Sequence, residues 1–286
     1  MSKTLKIQWN IGNQCNLKCD YCVPALNSGT NPIPEQDVLT PAFEHLEYVT
    51  DSFNEILLEL TGGEPTQSFA LQNIINKTTK IKFSLVSNGY AEPIWWSKAL
   101  NNLDKLQLTY HDSADFDHFF EVLSIVKKLQ PKILIAIKPD TWNQQYLIYQ
   151  LLKSLGYDVY LQVLYENFTK GNNRYLAYTQ DQWSAYYDSQ GINYQDTSIV
   201  EKTIEFKRSN SLNDYHGHLC WAGVEQIVID IFGDVWRGWC MADLSLGNIY
   251  QQNVSLDRQP RVCPKRQCRN GFDLEARKSE QSWGFA

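Results

Sequence analysis

The chain is poor in the features that would place it in a membrane or along a nucleic acid. No stretch approaches the length of unbroken apolar sequence needed to cross a bilayer. The N-terminus, Met1-Ser2-Lys3-Thr4-Leu5-Lys6, has no apolar signal core and no small-residue cleavage site, and it runs straight into a strand pattern, so a cytoplasmic location is expected. Positive charge is in deficit: 26 Lys and Arg face 32 Asp and Glu, a formal net charge of −6. That balance excludes general nucleic-acid binding, although Lys265, Arg266 and Arg269 are close enough in sequence to form a local basic patch. Low-complexity segments and repeats of fixed period are also missing. Seven cysteines make an odd count, unsuited to a disulfide framework and better suited to metal ligation in a reducing compartment.

What is present is an ordinary globular composition, 43% hydrophobic and 20% charged over 286 residues, enough for one barrel-sized domain with a smaller appendage. Strand and helix patterns alternate from the start. Strands are predicted at Leu5 to Ile11, Ile56 to Leu60, Ile81 to Val86, Leu103 to Tyr110, Lys132 to Lys138 and Asp158 to Tyr165. Helices are predicted from Thr40-Pro41, over 68–79, 92–101 and 113–130, and over 141–155 with a stop at Gly156. Six βα units in succession imply a parallel sheet with helices outside, and six are too few for a closed eight-fold barrel. The expected fold is α/β, a partial (β/α)6 TIM-like barrel over residues 1–190, with a bridge and a small C-terminal domain over 191–286. A helix at 180–189 and a strand from Ser198 to Phe206 are expected between them. In such barrels ligands sit at the C-terminal ends of the strands.

The loop after the first strand, Asn13 to Cys22, holds Cys15, Cys19 and Cys22 in the pattern C-x3-C-x2-C, with Tyr21 just before the last cysteine. Three thiolates can hold three irons of a cubane cluster and leave the fourth iron open to a small molecule. Structural zinc is the alternative for closely spaced cysteines, but zinc favours four ligands in paired knuckles. After the second strand comes Thr61-Gly62-Gly63-Glu64-Pro65-Thr66, where two glycines permit close backbone approach and a carboxylate can accept from an ammonium group.

The cysteine loop resembles the signature of radical S-adenosylmethionine (SAM) enzymes, and the Gly62-Gly63-Glu64-Pro65 turn resembles their GGEP motif. The resemblance implies a [4Fe-4S] cluster on Cys15, Cys19 and Cys22 whose open iron chelates the amino and carboxylate groups of SAM. It further implies one-electron cleavage of SAM to methionine and a 5′-deoxyadenosyl radical, driven by an external one-electron donor such as flavodoxin or ferredoxin. Tyr21, Gly62, Gly63, Glu64 and Pro65 then become expected cofactor contacts. Ser87 and Asn88, at the end of the third strand, look like the family's polar strand end, and Thr109 resembles its serine on the fourth. His111 is the one histidine at a strand end, a candidate substrate contact. Lys138 and Gln162 are further residues that strand phase would turn toward the barrel interior.

Cys220, Cys240, Cys263 and Cys268 remain, the first two flanking an alternating hairpin pattern from Gln226 to Trp236. This arrangement resembles the SPASM or shorter twitch extension of radical SAM enzymes, and implies an auxiliary [4Fe-4S] cluster with every iron ligated. Four such cysteines also suit structural zinc. A fully ligated cluster implies electron transfer, hence a net oxidation: dehydrogenation, or oxidative bond formation on a small molecule or a peptide, with the small molecule favoured. Maturation of a partner protein, and a zinc-stabilised module without catalysis, are the alternatives.

Overall fold

The computed structural model describes residues 4–165, 175–200, 203, 206–207, 210, 212–268 and 270–279. Its main sheet has eight strands. Six of them are β1 (Thr4–Asn10), β2 (Glu55–Thr61), β3 (Ile81–Ser87), β4 (Leu103–Tyr110), β5 (Lys132–Ile137) and β6 (Val159–Val163), lying side by side in chain order and each parallel to its neighbour. The partial (β/α)6 barrel expected from the sequence is therefore present. Strand alternation explains its two faces. In β2, Ile56, Leu58 and Leu60 are buried on one side, whereas Glu55, Leu57, Glu59 and Thr61 line cavities on the other.

Helices cover the apolar face: Gln36–Val49, Phe69–Lys77, Pro93–Ala99, Phe116–Val126 and Trp142–Ser154. Ser68 caps the second through Leu71 N (3.1 Å), and Asp115 caps the fourth through Asp117 N and His118 N. The first begins at Gln36, well before the Thr40-Pro41 start that the sequence suggests, and keeps Pro41 inside it. Leu39, Ala42, Phe43 and Leu46 are all buried at helical spacing, and that burial offsets the hydrogen bond that proline forfeits.

Beyond the barrel the helix Gln180–Ser189 forms where expected, closed by a capping box between Thr179 and Gln182. The strand expected from Ser198 does not start there. Ser198 lies in a short helix, Thr197–Val200, because the Asp196 carboxylate accepts from both Ser198 N (3.1 Å) and its hydroxyl (2.7 Å). Most of the remainder of that expected strand, and Arg269 of the basic patch, lie outside the described residues.

After the short strand β7 (Leu219–Cys220), the expected hairpin is present as β8 (Gln226–Ile229) and β9 (Val235–Trp236). It turns about the Asp230 carboxylate, which accepts from Phe232 N, Asp234 N and Trp236 Nε1. Its first strand pairs in parallel with β1 and so prolongs the barrel's own sheet, whose full order is β6-β5-β4-β3-β2-β1-β8-β9. Strand β7 instead pairs antiparallel with β10 (Arg261–Val262) and β11 (Lys278–Ser279), forming a separate small sheet in the order β10-β7-β11. No described helix is long and apolar enough to cross a membrane.

Leu58 is fully buried at the centre of the sheet. Leu58→Ala is expected to cost about 2–5 kcal/mol, read as a lower urea midpoint with an unchanged slope; a cost below about 1 kcal/mol would contradict this account of the core.

Candidate functional site

The backbone brings the two sequence motifs together before any side chain does. Pairing of β1 with β2 continues past both strand ends: Ile11 N donates to Thr61 O (3.0 Å), Gly63 N to Gly12 O (2.9 Å) and Glu64 N to Gln14 O (2.7 Å). Both glycines are needed for this approach. Gly62 has φ +129°, and a Cβ there would collide with Gly12 O; a Cβ at Gly63 would collide with Gln14 O and lie 2.6 Å from Gln14 C. The backbone that approaches the glycine turn is thus the entry to the cysteine loop. The loop's return is fixed by Asn13, which is fully buried. Its amide donates to Ser28 Oγ and Thr30 Oγ1, and its oxygen accepts from Asn31 N (2.7 Å).

Glu64 is the polar centre of the arrangement. It is 1% exposed, and Oε1 accepts from Thr66 N (3.0 Å), Thr66 Oγ1 (2.6 Å) and Ser87 Oγ (2.8 Å), while Oε2 accepts from Asn88 N (2.6 Å). Burial pushes its carboxyl upward against the pull of these donors. The carboxylate lines the cavity and is at the same time engaged by the protein, tying the end of β2 to the end of β3. Ser87 and Asn88 share that work, and Asn88 Nδ2 reaches Asn16 Oδ1 (2.8 Å) and Cys15 Sγ (3.7 Å). Pro65 lies behind the wall, where it opens a single 3-10 turn, Pro65–Gln67.

A cavity of about 430 Å³ opens at the C-terminal ends of the strands. Cys15, Cys19, Cys22, Tyr21, Gly62, Gly63, Glu64, Ser87, Asn88, Thr109 and His111 all line it, with Gln107, Ala136, Gln162 and Asn270. Gln162 thus faces inward as its strand phase suggests. Lys138 is absent from the lining; it pairs with Asp112 (2.8 Å) and Asp20 (3.1 Å) and so latches the cysteine loop to the end of β4. Tyr21 stacks on His111 and its hydroxyl lies 2.7 Å from His111 Nδ1. Desolvation lowers the His111 pKa to about 4, so the imidazole is neutral near pH 7. Burial raises the Cys15 thiol and pushes Cys22 up to about 11, with Cys19 and Cys15 adding to the latter, as thiols sharing one site do. Asn13 and Asn270 are site residues that motif reading passed over, since neither belongs to a recognisable spacing.

The C-terminal cysteines also converge. Cys263 N donates to His218 O, Cys268 N to Asn213 O, and Cys240 N to the buried Asp273 carboxylate (2.7 Å). Burial, then Asp273 and the other thiols, push Cys240 up to about 12; burial does the same for Cys268. Cys263 is raised by burial and by Cys220, and lowered by Lys278 and Arg237. Among the described residues no three His, Cys, Asp or Glu side chains gather around one point as a single metal ion requires. A four-iron cluster spreads its thiolates over separate irons, and both cysteine groups suit that donor chemistry.

The fold finds counterparts among solved structures. The structure of histidine-tagged anSMEcpe with bound AdoMet matches with a TM-score of 0.56 over 88% of this chain and 76% of that one, at 18% identity. The chain has the partial-barrel fold of radical SAM enzymes. SuiB of Streptococcus suis bound to the precursor peptide SuiA matches with a TM-score of 0.54 at 15% identity, over 88% of this chain and 64% of SuiB. Among curated proteins, the GTP 3′,8-cyclase of Aquifex aeolicus (strain VF5) is 28% identical over 156 residues, 47% of this chain and 48% of that protein. The chain therefore spans about half the length of that relative and under two thirds of SuiB. No family model matches.

Two outcomes follow from this geometry. Gly63→Ala must push residues 13–14 away, so the protein should keep its far-UV circular dichroism yet bind little iron at the cysteine loop after anaerobic reconstitution; full iron binding would contradict the close-approach account. The His111 pKa is depressed from its ordinary value near 6.5 to about 4, so the unfolded chain binds more protons between those values. Stability is therefore expected to fall as pH drops from about 6.5 toward 4, and His111→Gln should flatten that part of a urea-midpoint profile.

Proposed function

We propose that the protein is a radical SAM enzyme that carries out a net oxidation, with Cys15, Cys19 and Cys22 holding a [4Fe-4S] cluster and Cys220, Cys240, Cys263 and Cys268 holding an auxiliary one in a twitch-like C-terminal domain. The observation that carries this reading is the meeting of three loop thiols, the glycine turn and the polar strand ends in one cavity at the C-terminal edge of a partial barrel. Cluster and SAM, when bound there, supply a 5′-deoxyadenosyl radical. The chain's own residues place and enclose the substrate. Gly62 and Gly63 fix the loop's course, Asn88 steadies Cys15, and Lys138 holds the loop against β4. Leu17, Val23, Leu26 and Leu164 supply apolar wall that keeps water from a reactive intermediate. Asn270, two residues after Cys268, also lines the cavity, which supports a link between the C-terminal cysteine segment and the reacting centre.

A second reading concerns the substrate. Among the described residues lining the cavity there is no lysine or arginine, and apart from Glu64, which the protein's own donors engage, its hydrogen-bonding side chains, such as Asn88, Gln107, Thr109, Gln162 and Asn270, are uncharged, as is His111 near pH 7. Such a wall suits an uncharged polar group better than a phosphate-rich nucleotide, which calls for cationic contacts. That favours a peptide side chain over the small molecule expected from the sequence, in keeping with the likeness to peptide-bound SuiB.

Anaerobically reconstituted protein, given SAM and dithionite, should form 5′-deoxyadenosine and methionine in about equal amounts, and Cys19→Ala should form neither. Absence of 5′-deoxyadenosine from a preparation with a full iron complement would sink the proposal.

A further inference from the structure

The C-terminal cysteines lie beneath a surface whose charge opposes that of the chain as a whole. From Arg258 to Cys268 the sequence carries Arg258, Arg261, Lys265 and Arg266 and no acid, in a protein of net charge −6. All four side chains belong to exposed residues. Arg261 is neutralised by Asp257 at 2.5 Å and stands 4.0 Å from Asp243. Arg258, Lys265 and Arg266 have no ion pair among the described residues. Lys265 and Arg266 sit between Cys263 and Cys268, and the Cys263 thiol donates to the Lys265 carbonyl (3.6 Å).

The same face has an apolar centre. Val262 is 46% exposed on β10, an edge strand with both residues open to solvent, and Met241 and Leu244, 43% and 88% exposed, follow Cys240. The Arg261 approach to Asp243 brings these two segments side by side. Exposed apolar residues and exposed cations that adjoin the buried thiols in the chain are what a brief encounter with a negatively charged redox protein requires: long-range attraction to orient it, little area to hold it, and a short path for the electron.

We propose that this face docks an acidic one-electron carrier protein of the flavodoxin or ferredoxin class, which exchanges electrons with the auxiliary site. The inference rests on the auxiliary-cluster reading above. The balance is simple. After hydrogen-atom abstraction the substrate radical loses one proton to solvent or a nearby base and one electron, which reduces the oxidised [4Fe-4S] cluster by one. The oxidised carrier then takes that electron, the cluster returns to its oxidised state, and the carrier leaves reduced by one.

The test uses chemically reduced, anaerobic holoenzyme mixed by stopped flow with oxidised flavodoxin, following semiquinone absorbance at low and high salt. Arg258→Glu, and separately Lys265→Glu/Arg266→Glu, should slow the bimolecular phase about tenfold or more, and raising salt from about 50 to 300 mM should slow the wild type likewise. Methyl viologen, a small dication with no docking requirement, should accept electrons no more slowly in any variant than in the wild type. Arg258 lies away from the ligand pair, so its variant keeps the test valid if the double variant loses iron. Unchanged flavodoxin rates, with the iron content intact, would overturn the proposal and leave the patch to another acidic partner. A wild-type iron content of about four atoms instead of eight would remove the auxiliary-cluster reading itself, and the proposal with it.

Discussion

The arrangement depends on one stretch of backbone pairing, the continuation of β1 and β2 beyond their ends into Gly12 to Gln14 and Gly62 to Glu64. A loop of irregular sequence would ordinarily have many courses open to it. Here three main-chain hydrogen bonds and two glycines that admit no side chain leave it one, and the first cysteine emerges at the mouth of the barrel. The cost of ordering so polar a loop is met locally. Asn13 satisfies the chain's return, and Lys138 with Asp20 and Asp112 holds the far side.

Glu64 extends this constraint into the next strand. A carboxylate so completely buried would be strongly destabilising without partners, and all four of its donors come from Thr66, Ser87 and Asn88. Removing any one leaves a buried charge partly unsatisfied, so the ends of β2 and β3 are tied together. The cavity wall is in this sense preorganised: its polar residues bond one another before any ligand arrives, which lowers the ordering cost when one does.

Much of the fold was legible because βα alternation is a long-range pattern that survives local errors. β4 spans Leu103–Tyr110, as its apolar alternation predicts, and Gly156 ends its helix in the left-handed region. Local preference misled where burial or a side chain outweighed it, as with Pro41 inside the first helix and Asp196 capping Ser198 into a helical turn. The pairing of β8 with β1 was not readable, since nothing in a hairpin's own sequence states which sheet edge it joins. In the site, the meeting of the loop cysteines with the glycine turn was legible because both follow neighbouring strands at the same end of the sheet. The engagement of Glu64 by the protein was not, because a motif names a residue and leaves open which way its carboxylate turns. The basic residues Lys265 and Arg266 were legible as a local patch, but the apolar Met241 and Leu244 beside them were not, since only folding brings Asp243 within 4.0 Å of Arg261.

The central claim is that two separate thiol groups each hold a four-iron cluster, one at the strand ends and one behind the hairpin. The most direct test is the iron, sulfide and zinc content of anaerobically reconstituted protein beside a Cys15→Ala/Cys19→Ala/Cys22→Ala variant. The account predicts about eight irons and no zinc in the wild type, falling to about four in the variant. About four irons falling to none, with zinc retained at the C-terminal cysteines, would contradict it.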